Sequence, residues 1–344
     1  MIQTVSGWIE NGCVEKVLPH EHILSDLRPL VAPLDNGIFH EKVALSNYGA
    51  LSRNPYAVLD NALLDDREAV TEEFAGLRKA GFNLVADVTT EDFGRDVTFM
   101  KELSEQTGVY IVAGCGYYID GAVSDELKQK SVKELRQIIL RELTEGIGGT
   151  DIRAGVIGEI GSGEEISECE YKFLQAAAEA QSETGFGMHI HACLWNREGL
   201  NALDHAIKCG AAAEKICIDH ADVLLDEEYI MGVLERGAYI EFDDFGKEYY
   251  VDRQNRNLLK GSFARDTERV QMIAQLISRG YAKQILISND ICLRSMMHAY
   301  GGWGYDHIGA NILPMMEDFG ISACDIETIV SENPIRFLER SETV

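Results

Sequence analysis

The chain has 344 residues, 46% of them hydrophobic, with 57 acidic against 31 basic side chains and a formal net charge of −26. That field repels phosphate, which argues against nucleic acid and anionic membranes as partners and leaves a small-molecule substrate as the expected one. Met1–Val5 lacks the basic start and apolar run of a secretory signal, no apolar stretch nears the ~20 residues of a membrane span, and the eight cysteines (Cys13, Cys115, Cys169, Cys193, Cys209, Cys217, Cys292, Cys324) include no CxxC pair, so reduced thiols and a cytoplasmic setting are expected.

Residues 2–13 suit a small hairpin that caps the bottom of the fold. The first apolar run, Val14–His22, leads into a long insertion at 24–65 that carries three of the six prolines, Pro29, Pro33 and Pro55. From there amphipathic stretches with helical spacing alternate with short apolar runs: Asp66–Ala80 then Phe82–Thr90, Thr98–Thr107 then Gly108–Tyr118, Asp125–Thr144 then Ala154–Ile160, and Glu170–Thr184 then Gly187–His191. The pattern continues with Glu198–Lys208 then Lys215–His220, Glu227–Arg236 then Ala238–Phe242, Thr267–Arg279 then Gln284–Asp290, and ends on Ile308–Phe319. Gly81, Gly185, Gly237 and Gly280 stand just past helical stretches, where a stop is expected. Strand alternating with helix implies a parallel sheet, and eight such runs imply closure. The expected architecture is α/β, a (β/α)8 TIM barrel forming one domain over residues 1–344. No Gly-rich phosphate loop follows strand 1, which weakens a dinucleotide-binding reading. The insertion would lie on the catalytic face of such a barrel and cover the site.

The informative residues stand at the C-terminal ends of the strands: His20-Glu21-His22 on strand 1, Glu159 on strand 4, His189-Ile190-His191 on strand 5, Asp219-His220 on strand 6 and Asn289-Asp290 on strand 8. Side chains alternate along a strand, so His20 and His22 share a face and can hold one ion. An isolated His-x-His specifies little, and Glu159 alone could be a buried carboxylate paired with an arginine. Five strands all finishing in ligand-type residues is a coincidence that core packing does not explain, whereas barrel active sites assemble from those ends. His189 lies one layer below His191 and is expected to be a hydrogen-bonded core histidine. His40 and His205 are expected on the insertion and a helix surface.

At this point the chain resembles the phosphotriesterase family of the amidohydrolase superfamily, from residue 14 to the C-terminus. The resemblance rests on His20-Glu21-His22, Ala86-Asp87-Val88-Thr89-Thr90 with Gly94-Arg95-Asp96, Gly155–Gly161, Gly280-Tyr281 with Gln284–Asp290, and Glu332-Asn333-Pro334 with Phe337-Leu338, all in order. It implies two divalent metal ions, Zn2+ first, with Mn2+, Co2+ or Fe2+ also fitting. His20, His22 and Asp290 would hold the more buried ion, and His191 and His220 the more exposed one. No lysine occurs between Lys133 and Lys172, so Glu159 takes the bridging role that a carboxylated lysine fills in many members. That form, with the run Tyr300–Ile308, is similar to the phosphotriesterase-related and phosphotriesterase homology branch, and efficient organophosphate hydrolysis is not expected. The resemblance also implies a homodimer.

A hydroxide bridging the ions would attack the substrate, since metal lowers the pKa of water to about 7, with Asp290 and His220 as the residues carrying catalysis. Tyr117 and Tyr118 after strand 3 could line the pocket or sit in the interior. Asp243–Lys247 and Tyr249 after strand 7 would form a wall, with Lys247 available to substrate. Arg294 and His298 after strand 8 are candidates for a substrate carboxylate, sulfonate or phosphate, a surface salt bridge being the ordinary alternative. His307 matches a family position, with no role derivable from the residues. The leading expectation is hydrolysis of a small lactone or carboxylic ester. An N-acyl amide or a phosphoester would use the same site, and fold alone does not choose among them. Two further alternatives are a catalytically silent metal-binding barrel and a metal-free barrel using Glu159 and Asp290 as an acid/base pair.

Overall fold

The computed structural model describes residues 1–251, 253 and 260–340. Eight strands lie side by side in chain order: β1 (Lys16–Glu21), β2 (Phe82–Asp87), β3 (Tyr110–Cys115), β4 (Val156–Gly161), β5 (Met188–His191), β6 (Ile216–Ile218), β7 (Tyr239–Phe242) and β8 (Ile285–Ile287). Every bonded pair among them is parallel, and each strand overlaps one expected run. The connecting helices are α1 (Arg67–Lys79), α2 (Val97–Thr107), α3 (Val132–Thr144), α4 (Glu168–Thr184), α5 (Glu198–Lys208), α6 (Glu227–Glu235) and α7 (Asp266–Ser278). Side-chain caps set several starts: Asp66 accepts from the Ala69 amide and Asp96 from the Phe99 amide. The single helix expected over 125–144 is instead a short turn, Asp125–Lys128, followed by α3. The cause is Ser131, which forms a capping box with Glu134 and starts a new helix there. No helix among the described residues is long and apolar enough to cross a membrane.

The alternation of strand side chains divides the core in two. Leu18, Val85, Ile111, Ile157, Ile190, Ile218 and Ile240 face the helices and join one large cluster. Val17, Leu84, Val112, Val156, Cys217, Tyr239 and Leu286 join a separate cluster, the packed lower interior of the barrel. Ile2 enters that cluster from the expected N-terminal hairpin, in which Ile2–Thr4 pairs with Gly7–Ile9, and Phe337 and Leu338 enter from the C-terminus.

The seam between β8 and β1 is tied by a side chain. Glu21 Oε1 accepts from Ser288 Oγ (2.9 Å), the Asn289 amide (2.9 Å) and Asn289 Nδ2 (3.0 Å), while Oε2 accepts from the Ile291 amide (2.8 Å). Ser288 Oγ in turn accepts from the His20 amide at 3.3 Å. The middle residue of His20-Glu21-His22 thus points away from its neighbours and holds the segment that carries Asp290.

The insertion at 24–65 forms its own small core from Val43, Leu51, Ala57 and Val58. Its ends are closed by an antiparallel pair, Ser25–Asp26 with Leu63–Leu64. It folds over the C-terminal ends of the strands and contributes Leu27, Pro55 and Tyr56 to a cavity there.

Candidate metal centre

Six of the expected residues meet above the apolar interior. Ligand atoms of His20, His22 and Glu159 lie within 4.8 Å of one another, as do those of Glu159, His191 and His220, and those of His220, Asp244 and Asp290. His220 belongs to two of these groups, and so does Glu159. Glu159 can enter the barrel there because Gly158 has φ 123°, and a Cβ on Gly158 would stand 2.7 Å from the His189 carbonyl oxygen.

The histidines are oriented by neighbours. His22 Nδ1 lies 2.8 Å from Thr89 Oγ1, which leaves Nε2 facing Asp290 Oδ1 at 3.0 Å and Glu159 Oε1 at 3.5 Å. His20 Nδ1 is taken by Glu241 Oε2 (3.3 Å) and Asp243 Oδ2 (3.4 Å), leaving Nε2 toward Asp290 and Glu159. Asp243 also accepts from the His220 amide at 3.1 Å and lies 3.1 Å from His220 Nδ1. Such outer carboxylates set the ring orientation and tautomer of metal-binding histidines. His220 (φ 57°) and Asp290 (φ 46°) are both left-handed, a conformation costing a non-glycine residue about 1–3 kcal/mol unless its surroundings over-determine it. Asp243 supplies that constraint for His220, and the Glu21 staple on Asn289 and Ile291 supplies it for Asp290.

The donor set fits divalent cations on three grounds. His20 Nε2 is buried without a hydrogen-bond partner. His191 Nδ1 sits 2.8 Å from His220 Nε2 and 3.0 Å from Glu159 Oε2, a crowding of lone-pair atoms that a cation would relieve. Burial opposes a charge on Glu159, but His191, His220 and His20 hold its carboxyl well below the usual range. Burial likewise opposes ionisation of Asp290, and Lys247, His22 and His20 overcome it. Both groups are therefore carboxylates, the form in which such side chains can bind a cation. His191, with a side chain 16% exposed, marks the open side, whereas His20 is fully buried.

His189 lies below this level, with Nδ1 2.8 Å from Asp219 Oδ1 and its ring 4.8 Å from that of Phe337. Burial works against a charge on it, yet Asp219 and Glu241 raise its pKa to about 9. With Nδ1 held by Asp219 and no exposed surface, His189 is a scaffold for the layer above.

The remaining candidates separate. Tyr118 packs beside His191, its hydroxyl 3.3 Å from Nδ1. Lys247 is buried, paired with Asp290 Oδ2 and 3.0 Å from Asp244 Oδ1. Three others are not brought to the centre. Tyr117 donates its hydroxyl to the Leu135 carbonyl at 2.9 Å and stacks near Phe173 in the strand–helix layer. Arg294 pins the insertion instead, donating to the Asp60 carbonyl (3.2 Å) and the Tyr300 hydroxyl (2.9 Å) and pairing with Asp65. His298 pairs with Glu73 at 3.0 Å and leaves 54% of its side chain in solvent. Sequence reasoning missed Glu21, Glu241 and Asp243 as orienting groups, although Glu241 and Asp243 stand at alternate positions on an expected strand end, the signal that singled out His20 and His22.

The centre opens into a cavity of about 100 Å3 lined by His22, His191, His220, Asp290, Lys247 and the aromatic side chains Tyr56, Phe93, Tyr118, Tyr249 and Phe263. The sequence matches the phosphotriesterase family over residues 1–338. N-acetyltaurine hydrolase of Danio rerio is 36% identical over 344 residues, covering 98% of this chain and 97% of that protein. Among solved structures, a resiniferatoxin-binding protein from Rhodobacter sphaeroides superposes with a TM-score of 0.94 at 29% identity, covering 98% of this chain and 94% of the other. A mutant of a Deinococcus radiodurans PTE-like lactonase gives 0.78 at 27% identity, covering 98% and 100%. With the barrel, the clustered ligands and this full-length likeness together, the chain is a hydrolase that belongs to the phosphotriesterase family.

Proposed function

We propose that this protein hydrolyses the amide bond of a small N-acylated amine that carries an anionic group, using two divalent ions held by His20, His22, Glu159, His191, His220 and Asp290. The carrying observation is the cavity at the centre: it is small, walled by aromatic rings, and Lys247 is the sole Lys or Arg side chain lining it among the described residues. The likeness to N-acetyltaurine hydrolase supports the amide over the lactone or ester that leads from sequence alone. Lactone hydrolysis remains the second reading, favoured by the lactonase likeness at lower identity. Ions of zinc, manganese, cobalt or iron type would polarise the substrate carbonyl and make water nucleophilic near neutral pH.

The chain's own residues supply the rest. The Tyr56, Phe93 and Tyr118 rings exclude water from the acyl group. Asp290 takes up a proton on its carboxylate and returns it to the leaving nitrogen, a transfer an amide needs more than a lactone does. Lys247 supplies the positive charge that meets the substrate's anionic end and fixes Asp290 through Oδ2. The test is a kcat/KM panel on metal-loaded protein covering N-acetyl sulfonates and amino acids, lactones, esters and phosphotriesters. Anionic N-acetyl amides should lead. In Lys247→Met their KM should rise about tenfold relative to an uncharged ester, the loss of about 1.4 kcal/mol of binding. A lactone that outruns every amide would overturn the amide assignment.

A further inference from the structure

Arg269, on α7, is the largest fully buried side chain among the described residues, and it does not line the hydrolytic cavity. Its Nε lies 2.8 Å from Asp222 Oδ2, and its Nη1 donates to Asp266 Oδ1 at 3.0 Å. Buried ion pairs of this kind add little to stability over well-packed apolar side chains, because desolvation of the charges offsets their attraction. Stability is therefore a weak account of a guanidinium at this position.

Both carboxylates reach from Arg269 to one tight turn. The turn runs from Asp244 to Lys247 after β7 and closes with the Lys247 amide on the Asp244 carbonyl at 2.9 Å. Asp222 Oδ2 accepts from the Asp244 amide at 3.2 Å, and Asp266 Oδ1 accepts from the Gly246 amide at 3.0 Å. Between those amides stands Phe245, whose ring centroid is 6.0 Å from the guanidinium carbon, within reach of a cation–π contact. One guanidinium thus holds the turn at three successive residues. A lysine does not match this task, since an ammonium is a point charge, whereas the planar fork spans two carboxylates and presents a face to a ring. From the end of the turn the Lys247 side chain enters the hydrolytic cavity, where it meets Asp244 Oδ1 at 3.0 Å and Asp290 Oδ2.

We propose that Arg269 is a positioning residue, which clamps the Asp244–Lys247 turn and so sets where the Lys247 ammonium stands beside Asp290. Its effect on substrate choice rests on Lys247 being the cation that meets the substrate's anionic end. The clamp itself belongs to the turn and is measurable without substrate.

Arg269→Lys, which keeps the charge and loses the fork, would be compared with Lys247→Met and with the double variant, all as metal-loaded full chains. Hydrogen exchange followed by mass spectrometry should show Asp243–Lys247 exchanging about tenfold faster in Arg269→Lys, with Lys16–Glu21 at the wild-type rate. The KM of an anionic N-acetyl amide should rise about threefold relative to that of an uncharged ester. In the Lys247→Met background, Arg269→Lys should add nothing further to that ratio. Asp266→Ala frees the Gly246 amide and leaves Asp222 on Arg269. It should act the same way more weakly, and it takes the place of Arg269→Lys if that variant does not fold. Unchanged exchange at Asp243–Lys247, or a rise in KM equal for both substrates, would overturn the assignment. If Lys247→Met itself leaves the ratio unchanged, Lys247 is not the cation that meets the substrate, and the exchange rate alone then decides for or against the clamp.

Discussion

The barrel interior has two levels built by the same alternation of strand side chains and made for opposite purposes. The lower level, Val17, Leu84, Val112, Val156, Cys217, Tyr239 and Leu286, is closed by Ile2 from one terminus and Phe337 from the other. The upper level sets ionisable residues above them on several strands: His20, Glu159, Asp219 and Glu241 are fully or almost fully buried. Burial of apolar area stabilises the lower level at about 25 cal/mol per Å2. The upper level has no such gain, and each charge there depends on a partner. What the contrast teaches is that the lower and outer apolar layers support a site that is unstable by itself, as left-handed His220 and Asp290 also indicate.

Substitutions on the two levels should therefore separate function from stability. The largest effect is expected for Glu159→Ala: metal emission analysis should show the content falling from about two ions per chain, and turnover should vanish with it. Unchanged metal content would remove Glu159 from the centre. Asp290→Asn comes next. It should lower kcat by about 10²–10⁴-fold while most of the metal stays bound, because proton transfer is lost before coordination is. Near-normal kcat would end its role as proton carrier. On the lower level the signature reverses. Leu84→Ala should lose about 2–5 kcal/mol in urea unfolding and leave the metal content and kcat/KM of the folded protein unchanged. A loss of metal there would show that the two levels are not separable. Glu21→Gln tests the join between them. Placing an amide NH2 among four donors should cost about 1–3 kcal/mol of stability and also weaken metal retention during dialysis against a chelator, since the staple holds Asp290. Lost stability with undiminished metal affinity would confine Glu21 to the seam.

Much of the fold was legible because its signals are local. Period-2 runs such as Ala238–Phe242 and helical-period stretches such as Glu198–Lys208 are set by neighbouring residues, and they appear in the structure nearly at the expected bounds. The break before α3 was missed since a capping box needs only Ser131 and Glu134, too small a signal against a continuous apolar stripe. The residues that cluster at the candidate metal centre were legible because alternation puts them on one face at one end of their strands. Arg294 and His298 show the limit. Their residue types suit an anion, but Asp60, Asp65 and Glu73 arrive from 225 or more positions away and claim them first.

By itself, then, the sequence determined the eight-fold alternation, the apolar base and the residues that finish each strand, since all three arise from periodicity along a continuous chain. Tertiary structure alone decided which imidazole nitrogen faces the centre, that Glu21 closes the seam, and that Lys247 rather than Arg294 is the cation in the cavity. Each of these depends on segments far apart in sequence meeting at distances of about 3 Å, where hydrogen bonds and ion pairs form or fail.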